Sequence, residues 1–546
     1  LRSATNQFYG MFPGAASGYT ESADVVCTFN LPAEVQGIRT VPTSGGGWNW
    51  EYLRAVNFYL SHSVRCDDVD AREHFDGIAR FFRAYFYFEK VKRFGEVPWF
   101  DRELSSTDPE LFRPRDSRDF IMDKILDDLT YAINNISDKK DLYNVTHWTA
   151  LALKSRICLF EGTYRKYHGI PGYEKFLDEC ATASKLFIDN APYAIYKTGA
   201  QPYRDLFSSM NAIEEEVILA RDYDRAQNVM HEANANTLSP TYGRPGMNKK
   251  IVNSYLMTDG TRFTDQPGYK TMQYYDEMQN RDPRLTQTVV GPGYMRINSD
   301  KVESPNFSSS TTGYQIIKWV TDASGDGYLG SSNDYILFRA AEVYLNYAEA
   351  KAELGTLTQE DLEISIKKIR DRVGMPALDM TAANNNPDPL MASYYPNVNS
   401  GANKGVILEI RRERTVELPC EGLRQWDMLR WKEGAQLVPS SNGLDGFLGC
   451  YFPSLGEYDM NGDGKMDLCL WSGTKPATTC DAMLEIGEGK DAQLTEGTSG
   501  YIVCFRGRTY KWEEGRDYLW PIPTDQRVAT GGALSQNPGY EDGLSF

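Results

Sequence analysis

Long hydrophobic runs are absent from this sequence. No uninterrupted apolar stretch among its 546 residues approaches the ~20 residues that a membrane-spanning helix needs, so we expect nothing here to cross a membrane. Basic residues are also scarce, because 58 Lys and Arg stand against 75 Asp and Glu and give a net charge of −17. Nucleic acids and anionic membranes are normally bound by basic faces. Neither is therefore an expected partner, and neutral sugars fit this composition better.

Signatures of common catalytic sites are missing as well. The chain contains no P-loop, no G-x-G-x-x-G, no G-x-S-x-G and no H-E-x-x-H motif, and its five histidines are scattered. This argues against zinc hydrolases and nucleotide-dependent enzymes. A glycosidase needs only two carboxylates about 5 to 10 Å apart, and 75 acidic residues offer many such pairs. A glycoside hydrolase on a helical scaffold therefore stays open as an alternative.

The cysteines carry no zinc or redox signature, because none of the nine belongs to a C-x-x-C pair. We expect several of them to be buried as small apolar residues. Four lie in one segment and could form disulfides in an oxidising compartment, although the spacing does not decide this. Those four are Cys450, Cys469, Cys480 and Cys504.

Helical periodicity is what the chain has in abundance. Apolar residues recur at helical spacing over about 49–190 and 335–434, in hairpins that resemble tetratricopeptide repeats without a strict 34-residue period. Residues 191–334 and 435–546 are irregular and rich in turn-forming residues. We therefore predict one mainly α domain over 1–546. It is a tetratricopeptide-repeat-like solenoid of helical hairpins, with large irregular loop insertions and little β structure.

Opposite charges are concentrated in the segment 405–434, GVILEIRRERTVELPCEGLRQWDMLRWKEG. Its apolar positions predict two helices, with a break at Pro419 and Gly422. Buried ions are tolerated only when they are paired. We therefore expect a structural network that locks the two helices together, rather than a catalytic acid and base, and we expect Trp426 and Trp431 to lie in the core.

This segment resembles the C-terminal signature of the SusD-like (RagB/SusD) family, roughly ERR-x-E followed by EG-x-R-x-x-D-x-x-RW. Six further blocks are similar to family blocks and occur in family order. They are FRAYFYFEKVKRFGEVPWF (82–100), ALKSRICLFEGTY (152–164), NRDPRL (280–285), ILFRAAEVYLNYAEAKAELG (336–355), IRDRVGMP (369–376), and DYLWPIPTDQRV with QNPGY (517–540).

The resemblance implies a non-enzymatic lipoprotein on the outer face of a Bacteroidetes-type outer membrane. Such a protein would capture oligosaccharide or polysaccharide and deliver it to a SusC-like TonB-dependent transporter. Its only attachment to the membrane would be an N-terminal lipid anchor. The chain begins at Leu1 without a signal peptide or a lipid-accepting cysteine, so we expect a trimmed form. A protein-docking solenoid and a binder of other nutrients are further alternatives.

Glycan capture needs flat aromatic faces for the C–H side of sugar rings, with polar side chains nearby for the hydroxyls. The loops of the irregular insertion supply both, since long loops on a rigid scaffold commonly carry binding function. Trp48 lies just before a predicted helix and could pack against it instead of binding ligand. Trp99 follows the turn FGEVP, where a buried structural role and a ligand-binding role are equally plausible. The predicted ligand-binding residues are Trp48, Trp99, Tyr242, Tyr269, Tyr274, Tyr294, Arg296, Asn298, Trp319, Asp326 and Tyr328.

A calcium-loop pattern lies at 459–467, DMNGDGKMD, where oxygen donors occupy alternate residues. Gly464 supplies the sharp turn, but position 12 is Leu470 instead of glutamate. We predict a structural Ca²⁺, with a plain polar turn as the alternative. The predicted ligands are Asp459, Asn461, Asp463, Lys465 through its carbonyl, and Asp467.

Overall fold

Helical hairpins form the scaffold of the protein. The structure is a computed structural model that describes residues 1–15, 23–399, 401–438, 446–505 and 507–546. The principal helices are α1 (Glu51–Ser63), α2 (Val69–Phe94), α3 (Arg118–Asn135), α4 (His147–His168), α5 (Tyr173–Asn190), α6 (Ala340–Leu354), α7 (Lys404–Glu417) and α8 (Arg424–Arg430). Consecutive helices from α1 to α5 pack against each other, and α6 then lies against α4, α5 and α7. The mainly α, repeat-like fold is confirmed.

Local sequence signals set the ends of these helices. The Asp68 side chain accepts a hydrogen bond from the Ala71 amide at the start of α2, and Thr146 forms a capping box at the start of α4. Inside the scaffold, Gly162 lets α4 approach α5 closely, because a Cβ atom there would lie 2.7 Å from the Leu177 side chain. These helices bury apolar side chains such as Phe82 completely, and each is worth roughly 1.5–3 kcal/mol.

Shorter helices fill the connections and the irregular regions. They are Arg2–Asn6, Ala33–Gln36, Pro202–Ser208, Ala233–Leu238, Lys249–Val252, Tyr274–Glu277, Arg284–Thr288, Gln359–Ile364, Ile366–Asp371, Met380–Asn385, Pro389–Tyr394 and Thr524–Ala529. Among the described residues, no helix is both long and apolar enough to span a bilayer.

Strands are short and form four small sheets in the described part of the chain. The strands are β1 (Val26–Cys27), β2 (Val217–Arg221), β3 (Gly246–Met247), β4 (Tyr335–Arg339), β5 (Leu448–Phe452), β6 (Gly456–Tyr458), β7 (Leu468–Trp471), β8 (Ala482–Glu485) and β9 (Gly500–Val503). Two sheets are antiparallel pairs between distant segments, β1 with β3 and β2 with β4, and a third pairs β5 with β9. The fourth sheet has the order β6-β7-β8.

The two irregular regions share a hydrophobic core of their own. Met247 and Ile316 from the first region pack in one cluster with Phe452 and Ile502 from the second. Trp319 belongs to the same cluster and is 1% exposed. Regions that are far apart in sequence therefore fold as one body against the helical scaffold.

The charges of α7 and α8 form a buried network, as the sequence predicts. Glu417 accepts hydrogen bonds from Arg339 and Arg372 at 2.7 Å each and from Arg284 at 3.0 Å. Burial alone would raise the pKa of the Glu417 carboxyl, but Arg372, Arg339 and Arg284 hold it well below its usual range. All four side chains are at most 2% exposed. The network is a structural lock between the scaffold and the insertion.

Asp427 of α8 links the two helices of residues 405–434, α7 and α8. It accepts from Arg414 at 2.7 Å and from Arg430 at 2.9 Å. Arg430 also bonds the buried Glu349 of α6, whose pKa would rise through burial but is lowered to about 2, chiefly by Arg430. Trp431 is fully buried, while Trp426 is half-buried against the main core.

Replacing Glu417 by glutamine should destabilise the protein by about 3–5 kcal/mol, because three buried guanidinium groups lose their shared counter-charge. Urea unfolding followed by circular dichroism measures this loss. Asp189→Asn is the matched control. It removes an exposed helical pair with Lys185, which is worth less than about 0.5 kcal/mol. Equal effects of the two substitutions would contradict the assignment of Glu417 as the centre of the lock.

Candidate functional site

An open pocket of about 370 Å³ lies at the N-terminal end of α1. Its walls are largely apolar and aromatic, and we call it the aromatic pocket. It is formed by the segment before α1, the loop after α2 and the C-terminal helix Thr524–Ala529. Its walls include Trp48, Trp50, Leu53, Phe100, Leu104 and Leu111, with Glu51, Arg54, Asn57, Arg102 and Glu103 around them.

The two tryptophans of the aromatic pocket are held by contacts on the scaffold side. Trp48 meets Phe94 edge-on with ring centroids 4.8 Å apart, and it lies 5.4 Å from Trp50. Trp50 in turn rests against Phe86 at 5.4 Å and Phe100 at 5.7 Å. Ring positions are therefore fixed before any ligand arrives, which lowers the entropy cost of binding.

A turn of three glycines immediately before Trp48 positions both tryptophans at the aromatic pocket. Gly45, Gly46 and Gly47 have φ angles of 73°, 57° and 87°, a region that other residues adopt only with strain. Below the turn, the Lys90 ammonium donates to the Gly47 carbonyl at 2.5 Å and lies 5.7 Å from the Trp50 ring centre. Burial lowers the pKa of Lys90 to about 8. The turn is thus fastened to α2.

The aromatic pocket also offers polar groups. Asn57 is 2% exposed and donates from Nδ2 to the Phe100 carbonyl at 2.9 Å. Its Oδ1 is buried and has no hydrogen-bond partner among the described residues, whereas buried polar groups are normally paired. Arg102 is half-exposed and pairs with Asp108 at 2.9 Å and Glu110 at 3.0 Å, which orders the loop that forms one wall.

A second exposed surface is built by residues 321–331, which we call the braced loop. Asp326 receives both Nη atoms of Arg296 at 2.7 Å and Nδ2 of Asn234 at 3.1 Å. Asn298 donates to Asp322 at 2.9 Å. These bonds hold a loop whose tip, Tyr328, is 74% exposed. A bidentate arginine–carboxylate pair fixes geometry better than a single bond does.

Four of the predicted ligand residues come together at the braced loop, although they are spread over more than thirty positions of the sequence. These are Arg296, Asn298, Asp326 and Tyr328. Tyr242 lies in a different part of the insertion, after the helix Ala233–Leu238, and is half-exposed.

Four other predicted ligand residues are core residues, which corrects their assignment as ligand contacts. Trp99 is stacked on Tyr87 with ring centroids 4.1 Å apart, which is the structural role that the sequence analysis gave as its alternative. Tyr274 stacks with Tyr314 at 5.7 Å. Since aromatic faces already packed inside the protein cannot take a sugar ring, these residues stabilise the fold instead. The four, all at most 7% exposed, are Trp99, Tyr274, Tyr294 and Trp319. Trp48 is also only 7% exposed and belongs to the main core, but unlike these four it lines the aromatic pocket, where the half-buried Trp50 is the more accessible ring.

Tyr269 belongs to neither surface. Its ring is half-buried and meets Phe263 edge-on at 5.8 Å. The next residue, Lys270, accepts a hydrogen bond from the Tyr501 phenol through its carbonyl. Tyr269 thus lies where the insertion meets the C-terminal region.

Two sequence models of known protein families match separate stretches of this chain. The sequence model of the SusD family matches residues 215–540, which is more than half of the chain. The chain belongs to the SusD family. A second model, described as starch-binding proteins associating with the outer membrane, matches residues 46–159. That stretch contributes most of the walls of the aromatic pocket.

Relatives of this SusD-family chain are distant in sequence. SusD-like protein P38 of Formosa agariphila is 24% identical over 429 residues, which cover 72% of this chain and 75% of the relative. A SusD-like protein structure from Bacteroides fragilis is 21% identical, with a TM-score of 0.69 over 99% of this chain and 96% of the other. A structure with xylogluco-oligosaccharide gives a TM-score of 0.64 at 15% identity, covering 100% of this chain and 99% of that one. The fold is therefore shared along the whole chain.

The sequence prediction missed the neighbours of two residues that it named. Trp50, two positions after Trp48, and Phe100, next to Trp99, line the aromatic pocket. The sequence shows an aromatic pair at 48 and 50 and another at 99 and 100. It does not show which ring of each pair faces the pocket. Asn57 carries no motif at all and could be found only from its unpartnered Oδ1.

The predicted calcium loop of this SusD-family chain is held by its own amides. Asp459 accepts from the amides of Gly462 at 2.6 Å and Gly464 at 2.8 Å, and Asp463 accepts from Lys465 at 2.8 Å. Asn461 and Asp467 also accept backbone amides within the loop. In the described part of the chain, no three His, Cys, Asp or Glu side chains are grouped to hold a metal ion. Calcium binding therefore stays a prediction.

Removing the Arg296 guanidinium should loosen the braced loop without unfolding the protein. In Arg296→Ala, Asp326 loses its bidentate partner, and chymotrypsin should cut after Tyr328 several times faster. The melting temperature should change little, since partly exposed pairs contribute about 1 kcal/mol or less.

Arg102→Ala is the control for that experiment, because it breaks an exposed pair in a different loop and should leave cleavage after Tyr328 unchanged. An unaltered rate in Arg296→Ala would mean that this pair does not hold the loop.

Proposed function

We propose that this protein captures a glycan in the aromatic pocket and passes it, uncleaved, to a SusC-like TonB-dependent transporter. The observation that carries the proposal is the half-buried Trp50 ring, backed by the buried Trp48, in a preformed, largely apolar pocket with polar groups at its edge. Sugar rings present apolar C–H faces and outward hydroxyls, and this pocket matches both. Its location in the stretch matched by the starch-binding model supports the same ligand class.

The energetics favour weak, reversible capture. A single aromatic face contributes about 1 kcal/mol beyond area burial, if aromatic pairs are taken as a guide. Affinity then depends on several such contacts, and a long polysaccharide can also reach the braced loop, where Tyr328 is 74% exposed. Multivalent contact of this kind strengthens the hold on a polymer while leaving short products free to dissociate.

A glycoside hydrolase is the less supported alternative. A general acid in a glycosidase is kept protonated by an apolar environment, but Glu51 and Glu103, the acidic residues that line the aromatic pocket, are both exposed. The buried carboxylates of the network are engaged by arginines and lie away from the pocket walls. Binding without cleavage fits this arrangement better.

The proposed function includes a location at the cell surface. We place the protein on the outer face of the outer membrane, attached by a lipid at a preceding N-terminal cysteine. The description of the family model as associating with the outer membrane supports this location. Handover to the transporter would then need no diffusion through the periplasm.

Trp50→Ala tests the proposed site. With starch and xyloglucan as probes in affinity electrophoresis, the unaltered protein should be retarded by at least one of them. The variant should bind that polysaccharide about tenfold more weakly, which corresponds to ~1.4 kcal/mol, because one wall of the pocket is lost. Phe29→Ala is the matched control, since Phe29 is an aromatic residue that is 63% exposed and lines neither surface.

Melting curves of both variants separate lost binding from lost folding. Undiminished retardation of a folded Trp50→Ala protein would remove the aromatic pocket from the proposal. New reducing ends in the presence of the unaltered protein would replace capture by hydrolysis.

We also propose that Ca²⁺ binds the loop 459–467 in a structural role, supported by oxygen donors at alternate residues. Ca²⁺ at a hundred times its Kd would stabilise the fold by about 2.7 kcal/mol and raise the melting temperature, whereas Mg²⁺ should not. Asp463→Asn keeps the acceptor for Lys465 but loses the charge, so it should abolish the response. Identical melting in EDTA and in Ca²⁺ would refute calcium binding.

A further inference from the structure

An exposed aromatic ring lies on α1 just beyond the aromatic pocket. Phe58 is 52% exposed, and it follows Arg54 by one helical turn on the same side of α1. Arg54 and Asn57 both line the pocket. Trp50 and Phe58 are eight positions apart, which separates them by about 12 Å along the helix axis. Phe58 therefore continues the aromatic surface of the pocket along α1.

His62 covers one face of the Phe58 ring. The two ring centroids are 4.3 Å apart, and the ring planes are inclined by 31°. His62 Nδ1 donates to the Phe58 carbonyl at 2.8 Å, since a carbonyl oxygen can only accept. This hydrogen bond fixes the imidazole under the phenyl ring. With one face covered, the exposure of the phenyl ring falls on its other face and its edges, which is the arrangement that a stacked sugar ring needs.

The loop after α2, which forms one wall of the pocket, reaches the same histidine. Glu103 lines the aromatic pocket, and its Oε2 lies 3.8 Å from His62 Nδ1. The pocket and the Phe58 ring are therefore connected on two sides, by Arg54 on α1 and by Glu103 on the loop. One extended ligand can lie across both.

The chemistry around Phe58 fits an uncharged sugar better than a protein partner. A stable protein interface buries about 800 Å² on each side, whereas one aromatic residue buries at most about 250 Å², and Phe58 stands beside the exposed charges of Arg54 and Glu103. A carboxylate accepts hydrogen bonds from hydroxyl groups and a guanidinium donates to them. An acidic glycan is disfavoured, because the chain carries a net charge of −17.

We propose that Phe58 forms a second sugar-binding position, which stacks on a ring further along the neutral glycan chain that occupies the aromatic pocket. The inference rests on the proposed function, because a chain can continue from the pocket only if the pocket holds a glycan. His62 is a positioning residue that holds the Phe58 ring. An oligosaccharide that reaches from Trp50 to Phe58 makes both contacts, whereas a disaccharide is too short to do so. The site therefore selects its ligand by length.

Calorimetric titration with short and long forms of one glycan tests this proposal. Starch is represented by maltose and maltoheptaose, and xyloglucan by cellobiose and an oligosaccharide of two repeats. Phe58→Ala should bind the long form about fivefold more weakly, which corresponds to the loss of one aromatic face, and should bind the disaccharide as before. Trp50→Ala should weaken the binding of both forms, because both occupy the pocket.

Three further variants control for folding and for the role of His62. Alanine favours the helix, so Phe58→Ala should keep its melting temperature. Phe120→Ala is the matched control, since Phe120 is a 41% exposed phenylalanine of α3 that does not line the pocket. It should bind both forms normally. His62→Ala should weaken only the long form, and His62→Phe should restore it, because a ring again supports Phe58.

Two results would overturn the second position while leaving the aromatic pocket as the binding site. One is unchanged affinity of a folded Phe58→Ala protein for the long form, and the other is an equal loss of affinity for the long form and the disaccharide. An unaltered protein that binds none of these sugars would overturn the proposed function and the second position together.

Discussion

The buried carboxylate of Glu417 is the interaction on which the rest of this structure depends. It receives Arg339 from the end of β4, Arg372 from the segment after the helix at Ile366–Asp371, and Arg284 from the insertion. Removing water from four charges is costly, and only complete pairing offsets that cost. The relative placement of scaffold and insertion is therefore specified by ion pairs as well as by apolar burial.

Rigid placement matters because both candidate binding surfaces are assembled from short segments that are far apart in the sequence. The aromatic pocket combines a glycine turn, a loop after α2 and the C-terminal helix, and the braced loop depends on Arg296 and Asn234 from two other segments. Apart from the short helices Thr524–Ala529 and Ala233–Leu238, these segments have no regular structure of their own to hold a ring in place. Phe86 and Phe94 of α2 preorganise the tryptophans of the pocket, and Arg296 and Asn234 preorganise the braced loop. Weak, repeated sugar contacts require such fixed side chains.

The sequence was most informative where one periodic pattern decides the structure. Helical spacing predicted the hairpins, and the paired charges of 405–434 predicted the buried network. It was least informative about aromatic rings in irregular loops. Trp99 and Phe100 are adjacent, yet the first is stacked in the core and the second lines the pocket. Their orientation depends on Tyr87 and Asn57, distant contacts that no local pattern encodes. Tyr328 was predictable as an exposed residue because glycines surround it.

Hydrogen–deuterium exchange tests most directly whether the aromatic pocket holds the glycan. The chain is compared alone and with the soluble polysaccharide that retards it most strongly in gels, and reducing ends are assayed in the same samples. The account predicts slower exchange in 46–57 and 98–111, with no new reducing ends. Protection confined to other segments, or release of sugar products, would contradict it.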